Sequence, residues 1–194
     1  MARTNSFMLP LDTKAPDFSL PNCISHSQNS LDQVKGSSGT LVIFMCNHCP
    51  YVLHLIDKIV EISNQIKDWG INTAAISSND IKRYPDDSPE LMKEFAIEKG
   101  FKFPYLYDET QEVAIAYEAA CTPDFYLFDD ILSLVYRGRF DDATPNSKNP
   151  VTGYDLMQAC ENLHKGIEQN KYQIPSLGCG IKWKEGNEPK GFSN

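Results

Sequence analysis

Cys46 and Cys49 are the residues whose types and spacing most clearly suggest chemistry. They lie in residues 41–56, where an apolar run typical of a strand passes directly into apolar positions at helical spacing. Pro50 follows at once, and proline is favoured at the first position of a helix, so Cys49 is expected at the N-cap. The first N–H groups of a helix lack intrahelical partners and carry the positive end of its dipole, which stabilises a thiolate. The pattern therefore predicts Cys49 as a nucleophile.

The C-x-x-C spacing of this pair allows three chemistries: a redox dithiol, half of a zinc site, or haem attachment. Haem attachment requires a histidine directly after the second cysteine, where this chain has Pro50. Zinc requires two more nitrogen or sulfur ligands, and the chain has no second C-x-x-C or histidine pair of suitable spacing. Tertiary contacts alone could supply them from His48, His54, Cys121 or Cys179. A buried structural pair of thiols remains the other alternative, and thiol redox chemistry without a metal or cofactor is the favoured interpretation.

The other cysteines divide by their surroundings. Cys23 lies in the polar stretch 21–39, which predicts a half-exposed loop thiol. Cys160 shares the apolar face of a predicted helix and is expected in the core. Cys179 stands between two glycines in a segment without periodicity, which predicts a reachable thiol. Cys121 directly precedes Thr122-Pro123.

The order of predicted elements indicates an α/β protein with a sheet between helices. Such a sheet binds ligands beyond the carboxyl end of a central strand, which is where Cys49 falls. The predicted strands are 40–45, 71–77, 103–107, and a hairpin of 124–128 with 132–139. The predicted helices start at Pro50, at Ser88-Pro89-Glu90, within 108–111, and at a capping-box-like 152–155 whose apolar face continues to Ile167.

Length and charge exclude several classes of protein. The 194 residues fit a single domain, 1–194, in which 171–194 is predicted to be an irregular C-terminal tail. A net charge of -8 and a pI near 5.0 argue against nucleic acid or a membrane surface as partner. The chain begins without the apolar core of a signal peptide and has no run of membrane-spanning length, so a cytoplasmic location is expected.

Several short motifs together resemble the thioredoxin superfamily, and more closely its peroxiredoxin-like AhpC/TSA branch, over about residues 10–170. They are Ala15-Pro16-Asp17-Phe18, the segment 46–52, Thr122-Pro123 before a strand, and the tail motif 178–184. The resemblance implies a thioredoxin-like fold: a central mixed sheet flanked by helices, with an N-terminal extension and a C-terminal tail. It also implies a cis peptide at Thr122-Pro123, which would form a substrate groove beside the thiol.

The chain departs from that family at the positions that serve peroxide chemistry. Aligning Phe44 with the phenylalanine of the central thioredoxin strand puts Cys49 on the first cysteine of the thioredoxin pair. Val52 then occupies the second position, which holds the peroxidatic cysteine of peroxiredoxins. The Pro-x-x-x-Thr-x-x-Cys motif is absent, and Thr122-Pro123 replaces the peroxide-activating arginine. Thiol–disulfide exchange or slow peroxide reduction is therefore expected.

The sequence predicts a thiol-dependent oxidoreductase of antioxidant type. Cys49 attacks a protein or small-molecule disulfide, or a peroxide, and a second cysteine resolves the intermediate: Cys46, Cys179 or Cys121. The expected partner is an external thiol reductant. Neither nucleic acid nor a membrane is expected to bind, and the protein is a possible homodimer. The alternative is a non-catalytic thioredoxin-fold binding module with structural or regulatory cysteines, whose partner lies across the Thr122-Pro123 groove.

Overall fold

The structure is a computed structural model, and it describes residues 3–189. Predictions for residues 1–2 and 190–194, the outermost parts of the predicted domain and tail, lie outside the described residues. Within them the strands are β1 (Arg3–Asn5), β2 (Ser19–Pro21), β3 (Gln28–Ser30), β4 (Gly39–Phe44), β5 (Ile71–Ser77), β6 (Tyr105–Tyr107), β7 (Cys121–Thr122), β8 (Asp124–Asp129), β9 (Leu134–Gly138) and β10 (Leu177–Gly180). The α-helices are α1 (Leu31–Val34), α2 (Pro50–Lys67), α3 (Pro89–Glu98), α4 (Glu112–Ala116) and α5 (Tyr154–Lys165). In this part of the chain, no helix has the length and apolar character that crossing a membrane requires.

A five-stranded mixed sheet forms the centre of the molecule, in the order β6-β5-β4-β8-β9. On one side of β4, β5 pairs with it in parallel and β6 pairs with β5 in parallel. On the other side, β8 pairs with β4 antiparallel and forms the predicted antiparallel hairpin with β9. Strand β4 is therefore central, and its carboxyl end leads into α2. The prediction of an α/β protein with a mixed central sheet flanked by helices is confirmed.

Both faces of the central sheet are buried, which explains why β4 is apolar without alternation. Leu41 and Ile43 point into a core that contains residues of α2, α3 and α5. Val42 and Phe44 point into a second core with α1 and α4. Each fully buried side chain of this size contributes about 1.5–3 kcal/mol relative to exposure. The sheet is thus a rigid platform for the loops at its edges.

Two helix starts follow the sequence closely. Helix α2 begins at Pro50 with Cys49 as its N-cap, as predicted. Helix α3 begins at Pro89 with Ser88 as its N-cap, and the Ser88 hydroxyl accepts a hydrogen bond from the Leu91 amide at 3.5 Å. In both cases the proline restricts the backbone locally, so sequence information is sufficient.

The start of α5 differs from its prediction. The N-cap is Gly153, with φ of +67°, and no capping box forms. The Asp141 carboxylate instead accepts hydrogen bonds from the amides of Thr152 and Gly153, both at 2.7 Å. A carboxylate at the start of the loop between β9 and α5 therefore fixes the two residues that lead into this helix. The helix also ends before Ile167, whose side chain is 54% exposed rather than part of the apolar face.

The predicted irregular tail contains a strand, so this prediction is wrong for Leu177–Gly180. Strand β10 lies between β1 and β7 in a separate three-stranded antiparallel sheet. Within it, Cys179 is paired with Arg3 on one side and with Thr122 on the other. Antiparallel pairing on both sides satisfies its backbone, which a single-sequence pattern of four residues does not reveal.

The chain after β10 is attached to the loops of the central sheet. The Lys182 amide donates a hydrogen bond to the Asn79 side chain, and the Lys182 carbonyl accepts one from the Asp80 amide, both at 2.8 Å. The Lys184 amide donates to the Gln111 side chain, also at 2.8 Å. These bonds attach the tail to the loops that follow β5 and β6.

Gly178 is a point of very close backbone approach. A Cβ atom at this position would lie 2.1 Å from the carbonyl oxygen of Thr122, which is backbone and cannot rotate away. We expect Gly178→Ala to push β10 off β7 and to lower the free energy of unfolding by about 1–3 kcal/mol, as overpacking does. Thermal unfolding measures the loss, and alkylation of Cys179 by iodoacetamide, mapped by mass spectrometry, should become faster.

Gly166→Ala is the matched control for that substitution. Gly166 has φ of +65° but nothing within 4 Å of its Cβ position, so alanine there adds only backbone strain of about 1 kcal/mol. Cys179 should stay protected in this variant. Unchanged alkylation of Cys179 in Gly178→Ala would contradict the close packing of β10 on β7.

Candidate active site

Cys49 lies where the central strand passes into α2. Its backbone is extended, with φ of -69° and ψ of 121°, and its carbonyl accepts the first helical hydrogen bond, from Leu53 at 2.9 Å. Its side chain does not meet the geometry of a capping hydrogen bond, and the Val52 amide lowers its pKa less than the side-chain partners do. The prediction from Pro50 therefore located Cys49 correctly. The main hydrogen-bond partners of its sulfur, however, are not the amides of the first helical turn.

Those partners are two further thiols. Strand β10 brings Cys179 to Cys49, and Cys46 reaches it from the loop that follows β4. Thr122 lies next to all three cysteines. Its hydroxyl is 3.6 Å from the Cys46 sulfur, its carbonyl oxygen is 3.1 Å from the Cys49 sulfur, and its backbone is paired with Cys179. The structure thus brings together the predicted residues Cys46, Cys49 and Cys179 with the predicted groove residue Thr122.

The three thiols are not equivalent electrostatically. Hydrogen bonds from the thiols of Cys179 and Cys46 hold the pKa of Cys49 well below the ordinary value, although burial opposes this. The same bonds raise the pKa of Cys46 and of Cys179, since each would lose its acceptor on ionising, and burial adds to the effect. As a thiol, Cys49 can donate to the Thr122 carbonyl; as a thiolate, it accepts from its two neighbours. The arrangement favours one thiolate, at Cys49.

The peptide bond between Thr122 and Pro123 is cis, as the resemblance implied. Pro123 lines a cavity of about 330 Å³ together with Tyr51 and Leu55 of α2 and with Leu177 of β10. Cys49 itself is fully buried, and Cys179 is 5% exposed. The cavity meets the site at Pro123, and none of the three thiols lines it. The expectation that Cys179 is freely reachable is wrong because β10 is paired on both sides.

The remaining three cysteines do not take part in this contact. Cys121 points its thiol toward the Pro123 carbonyl, 3.7 Å away, and burial raises its pKa. Cys121 is also close enough to Cys49 and Cys179 for their charges to raise its pKa further. Cys160 is in the core as predicted, and burial raises its pKa to about 12. Cys23 is buried against Met92, with 3.7 Å between the sulfur atoms, so the prediction of a half-exposed loop thiol is wrong.

A polar group beside Cys46 was missed by the sequence interpretation. Nδ1 of His48 lies 2.7 Å from Oδ2 of Asp87, a carboxylate with 0% exposure at the end of a 3-10 helix, Pro85–Asp87. Asp87 also accepts hydrogen bonds from the Asn47 amide at 2.8 Å and from the Asn79 side chain at 2.7 Å. The available signal was topological: the loop after β5 must lie beside the carboxyl end of the parallel strand β4.

Cys46, His48 and Asp87 are the group of described residues whose donor atoms approach closely enough to suggest a metal ion, within 4.8 Å of one another. A zinc ion about 2.0–2.2 Å from both a nitrogen and an oxygen ligand would separate those two atoms by roughly 3.3 Å. The observed 2.7 Å between Nδ1 and Oδ2 is the distance of a direct ion pair. This geometry suits a proton better than a cation.

Comparison with known proteins identifies relatives of the chain. The family model described as the AhpC/TSA family matches residues 11–137. An uncharacterized conserved protein from Geobacillus kaustophilus is 49% identical with a TM-score of 0.94, over 95% of this chain and 98% of that one. A hypothetical protein from Sinorhizobium meliloti is 40% identical with a TM-score of 0.92, over 94% and 100%. No curated protein matches.

More distant structures share the fold alone. The thioredoxin domain of a thiol-disulfide oxidoreductase from Bacteroides vulgatus has a TM-score of 0.55 at 20% identity, over 66% of this chain and 88% of that one. The predicted thioredoxin-like fold is therefore confirmed.

Removal of the donor thiol at Cys179 tests the source of the low Cys49 pKa. Cys179→Ala should raise the pKa of Cys49 because the thiolate loses its main hydrogen-bond donor, whereas Cys179→Ser should raise it less because a hydroxyl still donates. The measurement is the pH dependence of Cys49 alkylation, whose midpoint in the wild type should lie well below the free-thiol value of about 8.5. A wild-type midpoint at or above that value would contradict the electrostatic assignment and favour a binding module.

Proposed function

The chain belongs to the AhpC/TSA family, and we propose that it catalyses thiol–disulfide exchange with Cys49 as the attacking thiolate. Family and fold give the protein a thiol-dependent redox function. The observation that carries the more specific proposal is the placement of the three thiols around Thr122. Its carbonyl oxygen is 3.1 Å from the Cys49 sulfur, its hydroxyl is 3.6 Å from the Cys46 sulfur, and Cys179 is paired with it across the strands. A nucleophilic thiolate with a second thiol in reach is what exchange requires.

The exchange proceeds in two steps. The Cys49 thiolate attacks one sulfur of a substrate disulfide, which forms a mixed disulfide with Cys49 and releases the other half of the substrate as a thiolate. A neighbouring thiol, Cys46 or Cys179, then loses its proton and attacks the Cys49 sulfur, which releases the second half. The substrate is reduced to two thiols and the protein is oxidised to a disulfide, which an external thiol reductant returns to the dithiol.

Exchange has more support than peroxide reduction. Arg137 donates to the Leu9 carbonyl and to Gln173, and Arg139 pairs with Asp155. Both guanidinium groups are thus engaged with other partners, and neither forms a hydrogen bond with one of the three thiols, although Arg139 also lines the cavity beside Pro123. Val52 occupies the position of the peroxidatic cysteine and is buried in the core.

The burial of Cys49 bears on the substrate and on the compartment. A small disulfide that fits the cavity beside Pro123 needs less displacement of β10 than a protein substrate does, so small disulfides are the proposed first substrates. We also propose a reducing compartment such as the cytoplasm, because the proposed cycle needs its disulfide to be returned to two thiols.

Reduction of bis(2-hydroxyethyl) disulfide, with dithiothreitol as the electron source, tests the proposal. Cys49→Ser should bring the rate to that of the uncatalysed reaction, because a serine hydroxyl is not a nucleophile toward disulfides. Cys160→Ala, which removes a buried thiol outside the site, should keep most of the wild-type activity.

Two results would count against the proposal. Equal rates for the wild type and Cys49→Ser would eliminate Cys49 as the nucleophile. Consumption of hydrogen peroxide by the wild type, without any reduction of disulfides, would replace exchange by peroxide reduction.

A further inference from the structure

Cys46 needs a proton acceptor if it is to act as a nucleophile. Its side chain is only 1% exposed, so bulk water does not reach it directly. The hydroxyl of Thr122 and the thiol of Cys49 are near it, but neither is a base strong enough to hold its proton. The basic groups close to its sulfur are His48 and Asp87, whose donor atoms lie within 4.8 Å of it.

The carboxylate of Asp87 is held firmly in place. Its two oxygen atoms accept hydrogen bonds from the Asn47 amide and the Asn79 side chain, as described above. Asn47 is fixed in turn, since its side-chain oxygen accepts a hydrogen bond from the Tyr105 hydroxyl at 3.0 Å. A buried carboxylate in so rigid a setting orients its neighbour rather than moving itself.

His48 connects this buried pair to solvent. Its ring stacks on Tyr84 with 5.8 Å between ring centroids and an angle of 4°, which fixes the ring plane. Nδ1 faces the buried side, 2.7 Å from Asp87, while the side chain as a whole is 18% exposed. A proton taken up by the imidazole can therefore leave to water.

We propose that His48, held by Asp87, accepts the proton of the Cys46 thiol when Cys46 closes the disulfide with Cys49. This inference rests on the proposed exchange function and assigns the resolving role to Cys46 rather than to Cys179. His48 is then a catalytic residue, because in the proposed step it takes the proton of the reacting thiol. Asp87 is a positioning residue that acts through His48.

The proton and electron balance of the step is complete. In neutral His48 the Nδ1–H group faces the Asp87 carboxylate, so Nε2 takes the proton of the Cys46 thiol and Asp87 stabilises the imidazolium ion that forms. The Cys46 thiolate attacks Cys49 in the mixed disulfide, a sulfur–sulfur bond forms between the two cysteines, and the substrate sulfur leaves as a thiolate. Histidine then releases the proton to solvent, and the pair is ready for the next turnover.

The charged groups around the pair define its pH dependence. Asp87 raises the pKa of His48, and partial burial opposes this rise. The charge of Cys49 also raises the pKa of His48, whereas the charge of Lys182 lowers it. Cys46 faces Cys49 and Asp87. Because His48 must be neutral to accept a proton, the closing step should slow as the pH falls through its pKa. Attack by Cys49 does not need a neutral His48.

Stopped-flow reaction with 2,2′-dithiodipyridine separates the two steps. The first release of pyridine-2-thione reports attack by Cys49, and the second reports closure of the disulfide. Asp87→Asn should leave the first release nearly unchanged and slow the second by roughly 10- to 100-fold, the low end of general-base contributions. In His48→Asn the inflection of the second release at the histidine pKa should vanish, so that its rate rises with pH up to the pKa of Cys46.

Asp86→Asn is the matched control. Asp86 lies next to Asp87 in the same 3-10 helix but is exposed, so the substitution removes one negative charge without touching His48. Both releases should keep their wild-type rates. A preserved first release in Asp87→Asn shows that this variant is folded, so a slowed second release then reports the lost acceptor.

Cys46→Ser and Cys179→Ser separate this inference from the proposed function. The expected result is loss of the second release in Cys46→Ser and its retention in Cys179→Ser. The opposite result would overturn the role of His48 and Asp87 but leave exchange at Cys49 intact, whereas an absent first release in the wild type would end both. Rates that change on addition of EDTA would also overturn the inference, since they would reveal a cation in the cluster.

Discussion

The pairing of β10 with the two residues of β7 is the contact on which the site depends. It places Cys179 opposite Thr122, so a thiol from the end of the chain meets the cysteine at the start of α2. The pairing is close because Gly178 has no side chain, and its backbone packs against the Thr122 carbonyl. Arg3 of β1 pairs with Cys179 from the other side, so both ends of the described chain hold one strand over the thiols.

This packing lets a buried site carry a single negative charge. Two unit charges about 4 Å apart repel by about 4 kcal/mol at an effective dielectric constant of 20, so neighbouring thiols do not ionise together. Cys49 ionises because two thiols donate to it, and their own pKa values rise for the same reason. Asp87 would add a second negative charge, but its contact with His48 and its two N–H donors compensate for that charge locally. Thiolate and carboxylate can therefore coexist in one buried region.

The sequence predicts what is determined locally. Pro50 and Ser88 mark helix starts, and the apolar run of β4 indicates a strand buried on both faces, so the fold class and the position of Cys49 follow without the structure. The remaining features depend on contacts between distant segments. Cys23 is buried against Met92, which is 69 residues further along the chain, and β10 is a strand because β1 and β7 flank it. No pattern within ten or twenty residues contains that information.

The same reasoning explains why the candidate resolving thiols could not be ranked from sequence. Cys46 is close to Cys49 in the chain, and Cys179 is 130 residues away, yet both contact it.

The surroundings of Cys46 and Cys179 distinguish them. Cys179 is fixed in a strand that is paired on both edges, whereas Cys46 lies in the loop between β4 and α2 and has a histidine and a carboxylate within reach. A thiol with a base beside it is better suited to attack, and a thiol held in a sheet is better suited to donate a hydrogen bond and stabilise its neighbour as a thiolate. The two cysteines that contact Cys49 thus fit two different tasks, which also explains why a site of this kind contains three thiols rather than two.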